Sequence, residues 1–374
     1  MMNIFKNYVI DNQLFVNSNA WSEIVSNYDE ETIIQHLSDA IVEFNIKLPY
    51  RDITYVDMED DYRKLKNFDT SYLINDGQWI SKFDYKYLNI DKYVDFNNVG
   101  AKASDYFNQV ERWKCDATGY PSPQKTWETE KFRLTLFKAV FSLKLKEITP
   151  EKLRNCISLR KYIASQFRPS TAKAIYDYFK AESVLDFSMG WGDRLLGAHT
   201  SDYVKRYVGF DPNEALHKNY QKQLAHYTII NPTNKYFSFY CRCAEDESVV
   251  LNEQFDLIFT SPPYFDKEKY DQSENQSYKK HKKFDDWMNN FLFKTIEIRG
   301  KNLKSGGHLV INISDIYTRK KLYKICDGMN DYIASTGEYA YVGAMGFRMP
   351  KRPMSKSSES IGVYGEPIWI WKKK

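Results

Sequence analysis

In the second half of the chain, short, mainly apolar runs alternate with stretches of helical period. The runs at 183–186, 205–211, 236–240, 256–260 and 309–313 each have the length and β-branched or aromatic character of a buried strand. Residues 366–372, Glu-Pro-Ile-Trp-Ile-Trp-Lys, alternate instead and read as a last strand, entered at Pro367. Between the runs, apolar positions 172, 175, 176 and 179 share one helical face, and Trp287, Phe291, Leu292 and Ile296 share another behind a cap at Asp285. The first half reads differently. Helical periodicity runs from Trp21 to Val42, and Asp-rich, Tyr-rich sequence with few strong breakers follows from Asp52 to Phe107. We therefore expect a mainly helical accessory or target-recognition domain over 1–150 and a strand-and-helix domain over 151–374.

The run at 256–260 leads straight into Ser-Pro-Pro-Tyr, residues 261–264. Pro262 and Pro263 fix their own φ angles, remove two N–H donors and force Ser261 into an extended conformation. Carbonyls in the turn lose local partners, and Ser261 and Tyr264 are held stiffly. A serine oxygen, a carbonyl and an aromatic face together suit a planar ring bearing an exocyclic amino group. The Ser261 oxygen and the Pro262 carbonyl can accept the amino protons while Tyr264 stacks on the ring.

Upstream, Ser183 to Ala198 forms an apolar strand ending at Asp186, a turn with Gly190 and Gly192, and a helical pattern from about Asp193. Glycines let backbone approach a ligand closely, and a helix N-terminus offers N–H groups to a carboxylate. A nicotinamide dinucleotide fingerprint is not matched, because Gly197 falls too late for a third glycine and Asp186 precedes the turn. At the end of the next strand, Asp211 can accept both hydroxyls of a ribose, and Asp211 or Asn213 can also cap the following helix.

The Ser-Pro-Pro-Tyr turn resembles motif IV of the S-adenosylmethionine-dependent amino-methyltransferases, which modify the exocyclic nitrogen of cytosine or adenine in DNA. The glycine turn is similar to their motif I, although Phe187 and Ser188 replace the usual Pro-Phe. Phe167, Arg168 and Ser170, ahead of a helix expected over 174–180, resemble motif X. The order X, I, IV is that of the family's gamma-like members. Only 63 residues separate Gly192 from Asp256, leaving no room there for a recognition insert. The resemblance covers about residues 165–374. It implies an α/β, Rossmann-like class I methyltransferase fold: a seven-stranded, mostly parallel sheet with an antiparallel last strand. It also implies S-adenosylmethionine as cofactor. Phe167, Arg168, Ser170, Ser188, Gly190, Gly192 and Ser261 would surround it, Asp186 would face its methionine end, Asp211 its ribose and Asp246 its adenine. Ser-Pro-Pro-Tyr is most typical of N4-cytosine enzymes, whereas N6-adenine enzymes more often carry Asp or Asn first. The implied activity is methyl transfer to a nucleobase amine, cytosine N4 in DNA foremost. Adenine N6, an RNA base amine, or a non-catalytic nucleic-acid-binding role are the alternatives. No Pro-Cys pair of the cytosine C5 enzymes occurs.

Charge agrees with a polyanionic partner. Residues 1–150 carry 18 Lys or Arg against 23 Asp or Glu, and residues 151–374 carry 35 against 26, so the basic half is the one with the motifs. Arg348 and Arg352, in the Pro-rich basic stretch Gly346 to Pro353, are the side chains best suited to substrate phosphate, and Lys-rich residues 278–283 could form a lid. The cluster from Trp113 to Trp127 pairs aromatics with lysines, as packing anchors or as a surface for unpaired bases. Five cysteines lack a paired C-x-x-C pattern, and Cys241 and Cys243 fall in an expected strand without a histidine set. They read as reduced thiols in a cytoplasmic protein that binds no metal. No run of about 18 apolar residues suggests a membrane span.

Overall fold

The computed structural model describes residues 2–160, 163–349 and 363–374. They form two compact units, one of residues 1–52, 109–165 and 268–271 and one of 53–108, 166–267 and 272–374. The division does not follow a single cut at residue 150. Residues 53–108, expected in the helical part, belong to the unit that holds the sheet.

The sheet has ten strands, which we number β1 Ile74–Asp76, β2 Trp79–Ser81, β3 Ile90–Val94, β4 Ser183–Asp186, β5 Arg206–Phe210, β6 Tyr236–Tyr240, β7 Phe255–Thr260, β8 Leu303–Asn312, β9 Tyr339–Arg348 and β10 Val363–Lys373. Its order is β1-β3-β9-β10-β8-β7-β4-β5-β6, with β2 paired to β10. From β8 through β7, β4 and β5 to β6 all neighbours are parallel, whereas β10 runs antiparallel to both β8 and β9. All four residues of β4 are buried, as a strand covered on both faces requires. Seven of these strands, β4 to β10, are the class I methyltransferase sheet with its antiparallel last strand. The other three come from residues 74–94, too short and too polar to stand out in the sequence. They hold their place by side chains: Tyr85 meets Trp369 edge-on at 5.2 Å, and Tyr87 meets Tyr341 at 5.4 Å.

Helices accompany the strands. In chain order they include α1 Tyr55–Asn67, α2 Ala101–Lys114, α3 Pro169–Tyr178, α4 Asp193–Thr200, α5 Glu214–Ile230 and α6 Cys326–Ser335. Helix α3 starts five residues earlier than expected because Pro169 suits the first helical position. Ser170 is therefore inside the helix. Asn213 is the α5 cap, accepting from the Ala215 N–H at 3.1 Å. Between β7 and β8 a continuous helical run follows Phe284–Trp287, Met288–Phe293 and Lys294–Gly300, its middle turn π-helical. Asp285 lies in its first turn instead of capping it.

The helical unit packs around its own core, in which Trp21, Ile33, Leu37, Leu136, Phe137 and Ile157 are buried. The expected helix from Trp21 to Val42 is two, Ser18–Asn27 and Glu30–Glu43, separated where Asp29 caps the second. Trp113 is 2% and Trp127 5% exposed. Trp127 donates its indole N–H to the Ile46 carbonyl at 2.9 Å, and Trp113 packs on Tyr50 at 5.1 Å. These tryptophans are core anchors and offer no face to a base. Among the described residues no helix is long and apolar enough to cross a membrane.

Candidate active site

Strand register brings the two sequence motifs together. Leu185 of β4 stands beside Ile258 of β7. Ser188 and Ser261 each lie three residues further on, so the glycine turn and the Ser-Pro-Pro-Tyr turn leave the sheet side by side, from strands about 4.8 Å apart. This is the carboxyl edge of the parallel strands, where open α/β sheets bind ligands.

Each turn is braced from outside itself. The Ser261 hydroxyl donates to the Asn312 side-chain oxygen at 3.5 Å, the long limit of a hydrogen bond, and the Tyr264 hydroxyl donates to the Asn312 carbonyl at 3.4 Å. Asn312, the last residue of β8, donates its amide to the Pro367 carbonyl at 3.1 Å. Pro367 lies within β10, one residue beyond the last one that β8 pairs, and not at the strand's entry. With its proton given to Asn312, the Ser261 hydroxyl keeps lone pairs for another donor. Phe265 follows with φ +51°, an unusual conformation for a bulky residue, and is locked by burial against Trp287 and Tyr323. Burial and the nearby Glu366 carboxylate push the Tyr264 phenol well above its ordinary range, so it stays neutral. The Lys267 ammonium lies 4.9 Å from the Tyr264 ring centre.

Gly190 and Gly192 adopt φ +57° and +78°. A Cβ at Gly192 would strike the Gln223 side chain at 2.3 Å, whereas one at Gly190 would meet nothing nearer than the Ser188 carbonyl at 4.0 Å. Gly192 thus serves packing, and Gly190 opens the backbone to space. Loop carbonyls are turned to the protein: Trp191 accepts from Asn108 at 2.6 Å and Ser104 at 3.2 Å, and Gly190 accepts from the Tyr220 hydroxyl. The Gly190 N–H donates to the Asp211 carboxylate at 2.8 Å, and the Asn213 N–H to its other oxygen at 3.0 Å. An acid at the end of β5, open space at Gly190 and a helix N-terminus at Asp193 fit the hydroxyls and the carboxylate that S-adenosylmethionine presents.

Several expected ligands are placed otherwise. Asp186 is fully buried, and its oxygens take Arg194 Nε at 2.8 Å, Arg194 Nη2 at 3.2 Å and the Tyr207 hydroxyl at 2.7 Å. It is the counterion of a buried arginine and does not face a ligand. Burial disfavours the Arg194 charge, but Asp186 outweighs that and raises its pKa. Ser170 is buried and donates to the Asn97 carbonyl at 3.0 Å. Ser188 donates to the Phe187 carbonyl at 2.7 Å. Phe167 packs on Phe259 at 5.8 Å and Phe347 at 5.5 Å, above the ends of β7 and β9, and the Arg168 guanidinium lies over Phe96 at 4.7 Å.

Asp246 caps its own turn, accepting from the Ser248 N–H and hydroxyl at 3.0 and 2.7 Å, which holds its carboxyl below the usual range. It lines a polar cavity of about 420 Å³ with Glu245, Lys280 and Lys294. Glu245, the buried acid here, pairs with Lys280 at 2.7 Å, so one lysine of the expected lid is committed to an internal contact. Cys241 is exposed past the end of β6, outside the strand expected to hold it. Arg348 ends β9 and pairs with Asp95 at 2.6 Å, so it is no free loop cation. Arg352 lies outside the described residues. Asn312, Tyr220 and Arg194 were not singled out from sequence. The signal for Asn312 was a polar residue closing the apolar run Leu-Val-Ile, and for Arg194 a cation eight residues after a buried acid.

Sheet order, the antiparallel last strand and the glycine turn at the carboxyl edge are those of the class I, S-adenosylmethionine-dependent methyltransferase fold. More particularly, residues 255–374 match the model of the DNA methylase family that embraces N6 and N4 enzymes. That span contains the Ser-Pro-Pro-Tyr turn, so the resemblance read from it is borne out there. No curated protein matches the sequence. Similar solved structures include an rRNA methylase from Streptococcus thermophilus, 15% identical, covering 56% of this chain and 99% of that one with a TM-score of 0.33. Another is the N-methyltransferase NodS from Bradyrhizobium japonicum in complex with S-adenosylhomocysteine, 11% identical over 54% and 86% of the two chains, TM-score 0.35.

Proposed function

We propose that this methyltransferase modifies the exocyclic amino nitrogen of a nucleobase in DNA, with cytosine N4 as its substrate. The observation that carries the reading is the braced turn. Ser261 gives its proton to Asn312 and so presents acceptor lone pairs, beside a carbonyl at Pro262 and the neutral ring of Tyr264. An exocyclic amine is a poor nucleophile, because its lone pair is delocalised into the ring. Two acceptors for its protons favour a pyramidal nitrogen and free that pair for attack. S-adenosylmethionine would supply the electrophilic methyl, its sulfur becoming a neutral thioether, and the methylated nitrogen would lose one of its two protons through these acceptors to solvent. Asp211 would hold the ribose of this cofactor, and the open space at Gly190 would let it approach. The protein's task is positioning and electrostatics, and no covalent nucleophile is needed.

A base inside a duplex cannot reach the turn, so the target must leave the stack, at a cost of about a few kcal/mol. Tyr264 restores part of that stacking. Serine in the first position of the turn favours cytosine over adenine. The helical unit serves as an accessory, and neither Trp113 nor Trp127 contributes to base contact. The test is to incubate the protein with methyl-labelled cofactor and separate DNA and RNA pools, then digest and identify the labelled nucleoside. N4-methylcytosine from DNA is expected. Label in N6-methyladenine would move the substrate to adenine, and label only in RNA would overturn the assignment to DNA.

A further inference from the structure

Four residues past Asn312, the chain forms a small hairpin in which Ile316–Thr318 pairs antiparallel with Lys321–Tyr323. Thr318 is opposite Lys321, so the loop is Arg319 and Lys320 alone, with φ +49° and +61°. Two-residue loops with both φ positive strongly prefer Asn-Gly, since a Cβ is crowded there. Two long basic side chains occupy strained positions that uncharged residues would fill at less cost. Strain kept at a loop tip points to a role for the side chains it presents.

The surroundings say which role. The inner face is seated: Ile316 is buried, and Tyr323 packs on Phe284 and on Phe265, the residue after the Ser-Pro-Pro-Tyr turn, at 5.2 and 5.3 Å. On the outer face the paired Tyr317 and Leu322 are 61% and 37% exposed. Arg319, Lys320, Lys321 and Lys324 are all exposed, and no acidic residue lies from 316 to 324. Arg319 reaches Asp266, two residues beyond Tyr264, at 3.4 Å. An exposed, purely basic ribbon thus projects beside the turn that would hold the target base.

We propose that the hairpin at 316–323 grips duplex DNA next to the target base, its outer face in the major groove and Lys320, Lys321 and Lys324 on flanking phosphates. The proposal rests on the base-amine reading for where the target lies. A major groove about 12 Å wide admits a two-stranded ribbon, whereas the deep, narrow major groove of an RNA duplex does not. Four residues of chain from Asn312 reach at most about 14 Å. That is about four base steps at about 3.4 Å each, close enough to read the target's neighbours.

The decisive variant is Arg319→Asn with Lys320→Gly, which supplies the residues the turn prefers while removing both tip cations. Its melting temperature should equal or exceed that of the unmodified protein. Anisotropy titrations with labelled DNA and RNA duplexes over a salt series read the outcome. The variant should bind duplex DNA about tenfold more weakly near 0.1 M salt, and the slope of log affinity on log salt should fall by about one, the share of Lys320. A control, Lys218→Gln with Lys222→Gln on α5, removes the same charge from exposed positions elsewhere and should change affinity less than about twofold. Unchanged affinity and slope in the stable hairpin variant would overturn the proposal. So would an equal loss in the control, or tighter binding of duplex RNA than DNA by the unmodified protein. Binding is read without methyl transfer. A protein that binds DNA through the hairpin yet labels no base would therefore refute the proposed function and leave the hairpin's role standing.

Discussion

Asp211 and Asp186 are acids at the ends of neighbouring strands, and burial alone does not tell them apart. Their partners do. Asp186 neutralises the buried Arg194 and also accepts the Tyr207 hydroxyl and the Ser188 N–H, whereas Asp211 is held by the backbone N–H groups of Gly190 and Asn213. We expect Asp211→Ala to weaken S-adenosylmethionine binding by about 10- to 100-fold, the worth of hydrogen bonds to a charged acceptor, as read by calorimetry. Ser261 and Tyr264 were legible in sequence because two prolines dictate a rigid turn without help from elsewhere. Asn312, which braces both, was not, because it follows them by some fifty positions and only the β7–β8 pairing brings it near. Arg194, the partner that occupies Asp186, was not legible either, because it lies in the first turn of α4, two residues past Gly192, where sequence offers no sign of direction.

Among the elements, the parallel strands could be read because burial on both faces writes them as mainly apolar runs. The three strands at 74–94 could not, since their identity comes from contact with β9 and β10. Trp79 fills the space over Gly346, where a Cβ would approach its ring to 2.4 Å. Gly346→Ala should therefore destabilise the sheet by about 1–3 kcal/mol, seen as a lowered denaturant midpoint, because the clash is with a packed indole that has nowhere to move. A second element-scale test concerns α4. His199 on that helix is fully buried, its Nδ1 paired with the Tyr62 hydroxyl at 2.7 Å and its ring stacked on Phe237 at 5.4 Å. Burial, then Lys235 and Lys66, lower its pKa from 6.5 to about 3. The unfolded chain thus binds a proton below 6.5 that the folded chain refuses until about pH 3. Stability should fall as pH drops through that window and be fully present above it. In thermal melts from pH 4 to 7, His199→Phe should show a shallower loss than the unmodified protein. Parallel slopes would contradict the assignment.

At the scale of the whole molecule, the chain divides its labour unevenly. One unit is a helical body with its own tryptophan-rich core. The other carries both motifs, the added strands and the basic hairpin. Sequence located the catalytic half through motif order and charge, but it placed the boundary at 150 because residues 53–108 lack the long apolar runs by which a sheet announces itself. A segment that completes a sheet from outside is shaped by its neighbours more than by its own pattern.

In the proposed function Ser261 acts on the reacting amine and not on the fold or the cofactor. The most direct measurement is the single-turnover rate of methyl transfer to DNA by Ser261→Ala, taken together with its cofactor affinity and melting temperature. We expect a rate lower by about 10²-fold with the other two nearly unchanged, since the hydroxyl's bond to Asn312 is at the long limit. Transfer at the full rate would contradict that role.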